Sequence, residues 1–192
     1  QNIKLKNNAS NYKNYFLCIG RLHIQKGLDI AIRAFSKVKE LEKYKEYKLI
    51  IVGIGNEYNS LIKITKSLKL EEDIIFLGET KNIYTLLKNS EQFWFPSRFE
   101  GLGNVLLEAM NAKTFIISTD CPSGPKEILS PYYNEYMSKP GDIQNFYECV
   151  IKGLSLNNRE KEYITELAFS SLNKYSPKKI STAYIDILKT YT

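Results

Sequence analysis

The sequence has little of several features that define large classes of proteins. No apolar run approaches the roughly 20 residues that a membrane-spanning helix requires, and no secretory signal peptide is visible. There is one histidine in 192 residues, and the three cysteines, Cys18, Cys121 and Cys149, form no CxxC or Cys/His motif. A zinc centre and a disulfide framework are therefore disfavoured, and we expect a cytoplasmic protein without a bound metal.

The overall composition is that of an ordinary globular domain. Apolar residues make up 43% of the chain and charged residues 25%, which suits one domain with a sizeable core. The net charge of +6 fits acidic ligands or an anionic membrane surface, or it simply keeps the protein soluble, and charge alone does not decide. The aromatic residues are not interleaved with a basic patch, so we expect no nucleic-acid partner.

Short apolar runs alternate with amphipathic segments through most of the chain. A run that is apolar at every position is typical of a strand buried on both faces of a parallel sheet. Strands that alternate with helices indicate right-handed βαβ units. The sequence therefore predicts an α/β fold, a Rossmann-like doubly wound parallel sheet with C-terminal helices. Strands are predicted at residues 15–19, 48–52, 74–77, 93–95 and 114–118.

Two regions depart from the alternating pattern. Residues 1–13 are polar and lack periodicity, which predicts a linker or disordered start before a domain of residues 14–192. After Thr119 a loop with Pro and Gly leads into a short turn or helix, and residues 132–137 are a candidate edge strand. Helices are predicted at residues 30–41, closed by the charged stretch 42–46, and at 61–68, 83–87, 103–111, 143–154, 164–168 and 180–188.

Candidate binding residues follow the strands, because ligands of open parallel sheets bind beyond the carboxyl ends of the strands. Arg21 and Lys26 follow the first strand and offer a planar fork and a point charge for phosphate oxygens. Cations near a helix N-terminus are unfavourable without an anion, which favours a ligand over two solvated side chains. Gly53 and Gly55 follow the second strand, but the third glycine of a dinucleotide fingerprint is missing, so a nicotinamide enzyme is disfavoured.

The segment 96–110 has the composition of an anion site at the start of a helix. Gly101 and Gly103 permit a tight turn and a close approach of the backbone to a ligand, and Asn104 is a candidate helix cap. Free backbone N–H groups and the positive end of the helix dipole converge at such a turn.

Two glutamates in this segment are suited to sugar hydroxyls. Glu108, a little over one turn into the predicted helix, can accept hydrogen bonds from both hydroxyls of a ribose. Glu100, in the preceding loop, would face the neutral hydroxyls of a sugar or pair with Arg98, because a bare carboxylate beside a diphosphate is repelled. The alternative is that Glu108 only favours the helix dipole and that Glu100 is exposed.

The remaining candidates leave two interpretations open. The loop 123–127 either shapes a sugar pocket, with Lys126 or Glu127 at its edge, or is only a stiff Pro-bounded turn. His23 has no Ser/His/Asp arrangement and no metal cluster around it, so it is not assigned a catalytic role.

Two of these motifs together resemble one family. The motif GRLHIQKG at residues 20–27 and the motif FEGLGNVLLEA at residues 99–109 resemble the C-terminal, donor-binding domain of retaining family-4 glycosyltransferases of the GT-B fold. The second motif matches the E-x7-E pattern of that family. The loop 120–129 is similar to bacterial members that extend lipid-linked oligosaccharides or surface polysaccharides.

The resemblance implies a role for each candidate residue. Arg21 and Lys26 would bind the donor diphosphate and stabilise the leaving group, Glu100 would contact the donor sugar, and Glu108 would hold the ribose. The catalytic group would thus consist of Glu100, Arg21 and Lys26. The turn and helix start would also contact the donor, at Gly101, Leu102, Gly103, Asn104 and Val105.

The resemblance also implies partners that the sequence itself does not contain. The donor would be a nucleotide-sugar with UDP as the favoured nucleotide, used without a metal or other cofactor. The acceptor, a glycan or polyprenyl-linked molecule, would bind mostly to an N-terminal domain absent from this chain, so the fragment alone would be inactive. The full enzyme would lie in the cytoplasm, at the inner face of the membrane. The alternatives are a catalytically inactive nucleotide-sugar-binding module and, less favoured, a flavodoxin-like domain.

Overall fold

The computed structural model describes residues 12–176 and Lys179. Within them, six strands form one parallel sheet in the order β3-β2-β1-β4-β5-β6. The strands are β1 (Tyr15–Ile19), β2 (Lys48–Val52), β3 (Ile74–Gly78), β4 (Gln92–Phe95), β5 (Ile116–Thr119) and β6 (Met137–Ser138). The α-helices are α1 (Leu28–Val38), α2 (Tyr58–Ser67), α3 (Ile83–Asn89), α4 (Asn104–Asn111), α5 (Pro125–Leu129), α6 (Ile143–Ser155) and α7 (Asn158–Ser171).

The strand order makes the sheet doubly wound. The chain first builds outward from β1 to β3, and it then returns to pair β4 with the other side of β1. Helix α1 contacts α2 and α6, and helix α4 contacts α3, α5 and α7, which is the arrangement expected for helices on two faces of a sheet. The loops after β1 and β4 therefore lie side by side, at the switch point where open α/β sheets bind ligands. The predicted fold class is confirmed.

A buried aromatic cluster around Trp94 anchors the centre of the sheet. The Trp94 ring stacks on Phe16 with centroids 4.7 Å apart, and it meets Phe35 of α1 and Phe146 of α6 edge-on at 6.4 and 6.0 Å. The indole Nε1 donates to Gln92 Oε1 at 2.9 Å, which satisfies a polar group that is fully buried. This packing fixes β4, whose carboxyl end leads into the candidate site.

The bounds of the last two strands, at the edge of the sheet, differ from the sequence prediction. Strand β5 begins at Ile116, two residues later than predicted, and β6 comprises Met137–Ser138 alone. The predicted strand at residues 132–137 was wrong over most of its length, because Tyr133 and Tyr136 pack edge-on against Phe115, at 5.5 and 4.9 Å between ring centroids.

Helix α1 is also shorter than predicted. It ends at Val38, where the last apolar side chain of the helix is buried, and the charged stretch that follows forms a separate 3-10 turn at Glu42–Tyr44. The predicted helix at residues 180–188 and most of the predicted linker at residues 1–13 lie outside the described residues. Among the described residues, no helix is long and apolar enough to cross a membrane.

Candidate functional site

A cleft of about 360 Å³ opens between the loops that follow β1 and β4. It contains most of the residues that the sequence singled out. Its walls are formed by Ile19, Gly20, Arg21, Lys26, Glu100, Leu102, Gly103, Asn104 and Val105. The switch point of the sheet thus brings together two motifs that are about 75 residues apart in the chain.

The loop after β1 is held by backbone contacts that only glycine permits. Gly27 has φ of 60°, and a Cβ on it would lie 2.0 Å from the carbonyl oxygen of Pro96. A Cβ on Gly53 would lie 2.0 Å from the carbonyl oxygen of Gly20, and one on Gly55 would lie 2.3 Å from that of Leu22. The glycines after β2 therefore serve the close packing of two loops, and they complete no dinucleotide fingerprint.

Lys26 and Glu100 meet directly in the cleft. The Lys26 Nζ lies 2.5 Å from Glu100 Oε1, and the two side chains are only 16% and 6% exposed. The ammonium also lies 5.5 Å from the centroid of the Phe95 ring, a distance typical of a cation–π contact. The Ser97 hydroxyl donates to the same Glu100 oxygen at 2.7 Å. Because Lys26 and Ser97 hold this carboxylate, the second of the two alternatives for Glu100, pairing with Arg98, is wrong.

Arg98 instead joins the two loops through Asp29. Its guanidinium makes two hydrogen bonds to the Asp29 carboxylate, both 2.8 Å, in the fork geometry that favours arginine. Nη1 also donates to the carbonyl oxygen of Ile24 at 2.8 Å. Burial raises the pKa of Asp29, but the hydrogen bonds and charge of Arg98 outweigh it, and the pKa lies below its ordinary value.

Two further hydrogen bonds join the same segments. The backbone N–H of Arg98 donates to the carbonyl oxygen of Gln25 at 2.7 Å, and Gln25 Nε2 donates to the carbonyl oxygen of Phe99 at 3.0 Å. These contacts of Gln25 with Arg98 and Phe99 therefore help to fix the position of Lys26 relative to Glu100.

Helix α4 begins at the wall of the cleft. Its N-cap is Gly103, with φ of 77°, and no side chain caps the helix, so the prediction that Asn104 caps it was wrong. Asn104 is already the first helical residue. The carbonyl oxygen of Gly103 accepts from Leu106 N at 2.8 Å, whereas no group in residues 12–176 accepts from the N–H of Gly103, Asn104 or Val105. These N–H groups are available to an anion.

Arg21 lies at the cleft and Glu108 lies beside it. Both are exposed, and neither forms an ion pair with another described residue. Arg21 lines the cleft, whereas Glu108 lies on α4, one turn beyond the residues that line it. Gly101 and Leu102 are exposed in the loop before α4, and a Cβ on Gly101 would touch nothing within 4 Å.

The loop after β5 packs on the loop after β4. A Cβ on Gly124 would lie 2.3 Å from the carbonyl oxygen of Gly101, so these backbones touch. Lys126 pairs with Asp120 at 3.1 Å, and both line a second open cleft of about 550 Å³ together with Glu127. Lys126 and Glu127 thus lie in a second cleft, outside the one that Lys26 and Glu100 line.

His23 has a structural role. Its Nδ1 accepts from the backbone N–H of Gln25 at 3.2 Å and caps the short 3-10 helix Ile24–Lys26. Among the described residues there is no group of three or more His, Cys, Asp or Glu side chains that could hold a metal ion.

Sequence reasoning missed Ser97 and Asp29. Ser97 is a single small polar residue after Pro96, without a periodic pattern around it. Asp29 appeared only as an acid in the first turn of a helix, which by itself indicates a favourable dipole contact.

The fold and the cleft define one Rossmann-like half of a GT-B glycosyltransferase. A sequence model of the family described as Glycosyl transferases group 1 matches residues 1–167, and the chain belongs to this family. An uncharacterised glycosyltransferase of Methanocaldococcus jannaschii is 44% identical over 119 residues, which are 62% of this chain and 29% of the relative. N-acetylgalactosamine-N,N'-diacetylbacillosaminyl-diphospho-undecaprenol 4-alpha-N-acetylgalactosaminyltransferase of Campylobacter jejuni is 35% identical over 115 residues, 60% of this chain and 30% of the relative.

Solved glycosyltransferase structures share the fold. A mutant of TarM from S. aureus, in complex with Fondaparinux, alpha-GlcNAc-glycerol and UDP, has a TM-score of 0.80 at 21% identity, over 96% of this chain and 37% of TarM. The C-terminal domain of a glycosyl transferase group 1 family protein from Francisella tularensis has a TM-score of 0.74 at 22% identity, over 88% of this chain and 90% of that one. The chain spans less than half the length of the Methanocaldococcus and Campylobacter relatives, and the predicted resemblance to a C-terminal GT-B domain is confirmed.

Proposed function

We propose that the cleft between the loops after β1 and β4 binds a nucleotide-sugar donor, with its diphosphate against the start of α4. The observation that carries this proposal is the meeting of Lys26 and Glu100 beside three free N–H groups of α4. Cations and a helix N-terminus converge on one small volume, which is the electrostatic requirement of a diphosphate site. UDP is the proposed nucleotide, supported by the presence of UDP in the TarM complex that shares the fold.

Each residue of the site has a proposed part. Arg21 and Lys26 bind the diphosphate, and Glu100, whose carboxylate lines the cleft, accepts hydrogen bonds from hydroxyls of the donor sugar. Glu108 reaches from α4 to the ribose hydroxyls. The turn at 101–103 brings the backbone close to the donor, and the N–H groups of Gly103, Asn104 and Val105 surround phosphate and sugar.

The proposed chemistry is transfer of a hexosyl residue with retention of configuration. As the bond between the sugar and the diphosphate breaks, negative charge grows on the leaving phosphate. In this proposal Arg21, Lys26 and the α4 dipole face the leaving phosphate, and fixed positive charge lowers the energy of such a transition state. We propose that these groups act without a metal ion or another cofactor.

The acceptor and the location of the parent enzyme are part of the proposal. The name of the Campylobacter relative specifies an undecaprenol diphosphate acceptor, which supports a glycan or polyprenyl-linked acceptor for the parent of this chain. An N-terminal domain would bind it, since the chain spans less than half of its relatives. Such a substrate would place the parent enzyme in the cytoplasm, at the inner face of the membrane.

A nucleotide panel tests the donor site and its base. The 192-residue chain is mixed with UDP, GDP, ADP or NAD, each at a hundred times the dissociation constant expected for a donor site. The Tm of thermal unfolding is measured for each mixture. A bound nucleotide adds about 2.7 kcal/mol to the stability at that concentration, which corresponds to a rise of about 5 °C or more in Tm. We expect UDP to raise Tm most and Glu108→Ala to reduce the rise, because the ribose loses its carboxylate. The absence of any rise with all four nucleotides would refute the proposal.

A further inference from the structure

Glu100 receives two hydrogen bonds on one of its two carboxylate oxygens. Both Lys26 Nζ and Ser97 Oγ donate to Oε1, at 2.5 and 2.7 Å. In the described part of the chain, no donor reaches Oε2. The oxygen that is free to accept from a ligand is therefore oriented by whatever holds Oε1.

Ser97 is itself held rigidly beneath the cleft. It is 1% exposed, and its carbonyl oxygen accepts from the hydroxyl of Thr119 at 2.5 Å. Thr119 is fully buried at the end of β5, and Gly27 packs on the neighbouring carbonyl of Pro96. The hydroxyl of Ser97 thus starts from a fixed backbone, whereas the Lys26 ammonium stands at the end of a flexible four-carbon stem.

A bound diphosphate affects these two donors differently. Its charge attracts the Lys26 ammonium, which then divides its hydrogen bonds between the phosphate and Glu100. The same charge repels the Glu100 carboxylate. The neutral hydroxyl of Ser97 does not respond to the phosphate charge, so it is the donor that keeps Glu100 in place when the cleft is occupied.

We propose that Ser97 is a positioning residue for the donor sugar, acting through the carboxylate of Glu100. This inference rests on the proposed function, in which Glu100 binds the sugar and Lys26 binds the diphosphate. Ser97 does not touch the donor. Removing its hydroxyl should therefore weaken the binding of the sugar and leave the binding of the nucleotide diphosphate nearly unchanged.

The test measures the ratio of two dissociation constants by calorimetry on the 192-residue chain. The ligands are UDP and whichever of UDP-glucose, UDP-galactose, UDP-N-acetylglucosamine and UDP-N-acetylgalactosamine binds most tightly. For Ser97→Ala we expect the UDP-sugar constant to rise about fivefold and the UDP constant by less than about twofold. Ser118→Ala is the matched control, because Ser118 is also fully buried and donates to a backbone carbonyl, at 3.0 Å. It should leave the ratio unchanged.

A double variant shows whether Ser97 acts through Glu100. In a Glu100→Ala background, which leaves the Ser97 hydroxyl no carboxylate to hold, Ser97→Ala should change the ratio by less than about 1.5-fold, because coupled residues give non-additive effects. If Ser97→Ala does not fold, Ser97→Cys, with a weakly donating thiol of similar size, replaces it in both backgrounds and is held to the same ratios.

The outcomes separate this inference from the proposed function. A ratio that Ser97→Ala leaves unchanged, or a full effect of Ser97→Ala in the Glu100→Ala background, overturns the role of Ser97 while UDP binding stands. Failure of the wild-type chain to bind UDP overturns the proposed function itself.

Discussion

At the residue scale, the ion pairs Lys26–Glu100 and Arg98–Asp29 join the loop after β1 to the loop after β4. The motifs pointed to Lys26 and Glu100 as site residues, but the partners of their neighbours could not be predicted. The spacing between Arg98 and Glu100 allows a local pair, and only the packing of the two loops shows that Arg98 is occupied by Asp29, 69 positions earlier in the chain. Local sequence carries no signal for such a contact.

The Arg98–Asp29 pair predicts a specific dependence of stability on pH. Since the pKa of Asp29 is lower in the folded protein than its usual value of about 3.9, the pair contributes stability that is fully present above that value. The contribution is lost as the pH falls through the folded pKa. Urea denaturation of wild type and Asp29→Asn should thus show a difference in unfolding free energy that is largest near neutral pH and shrinks below about pH 4.

A second carboxylate serves as the control for this prediction. The pKa of Asp73 is also lowered, against its own burial, by Lys48 and Lys39. The double variant Asp29→Asn with Asp73→Asn should add the two differences at every pH, because the pairs share no contact. A difference for Asp29→Asn that stays constant down to pH 3 would contradict the assigned ion pair.

At the element scale, the central strands were predictable and the edge was not. Strands β1 to β4 appear as continuous apolar runs because both faces of the sheet are covered, and all but β4 begin at the predicted residue. At the edge, Tyr133 and Tyr136 have residue types that favour strands, yet they fill space around Phe115. Tertiary packing there outweighs local preference.

The contact of Gly27 with Pro96 gives a prediction about both loops. Gly27→Ala places a Cβ against a backbone oxygen and on a left-handed residue, so we expect a loss of about 2 kcal/mol or more in unfolding free energy. The loops must separate, so UDP affinity should fall as well. Gly101→Ala is the control in urea denaturation, because a Cβ on Gly101 would meet nothing within 4 Å and the change should cost less than about 0.5 kcal/mol. Equal stabilities of the two variants would refute this packing.

At the scale of the whole molecule, the proposed function makes this chain one wall of a larger active site. The two motifs were sufficient to predict the family, because the spacing of glycines and charged residues meets the local needs of the proposed phosphate site. The acceptor could not be predicted in the same way. Its binding groups are expected on a domain that this chain does not include.

If the donor and acceptor sites lie on different domains, donor binding and sugar transfer should be separable. The 192-residue chain should bind UDP and transfer no sugar, because no acceptor is held against the donor and the advantage of proximity is lost. Release of UDP from a UDP-sugar, measured with a polyprenyl-linked acceptor, should not exceed the rate without protein. Transfer by this chain alone at the rate of a two-domain parent enzyme, assayed in parallel, would show that the acceptor site lies within it.

The central claim is that Lys26 binds the diphosphate of a nucleotide, and calorimetric titration of UDP tests it most directly. Lys39→Ala is the matched control, because Lys39 is similarly shielded, at 13% exposure, and pairs with Asp73 at 3.0 Å, at the opposite end of the sheet. We predict that Lys26→Ala raises the dissociation constant about tenfold or more and that Lys39→Ala leaves it unchanged. Equal affinity of wild type and Lys26→Ala for UDP would contradict the account.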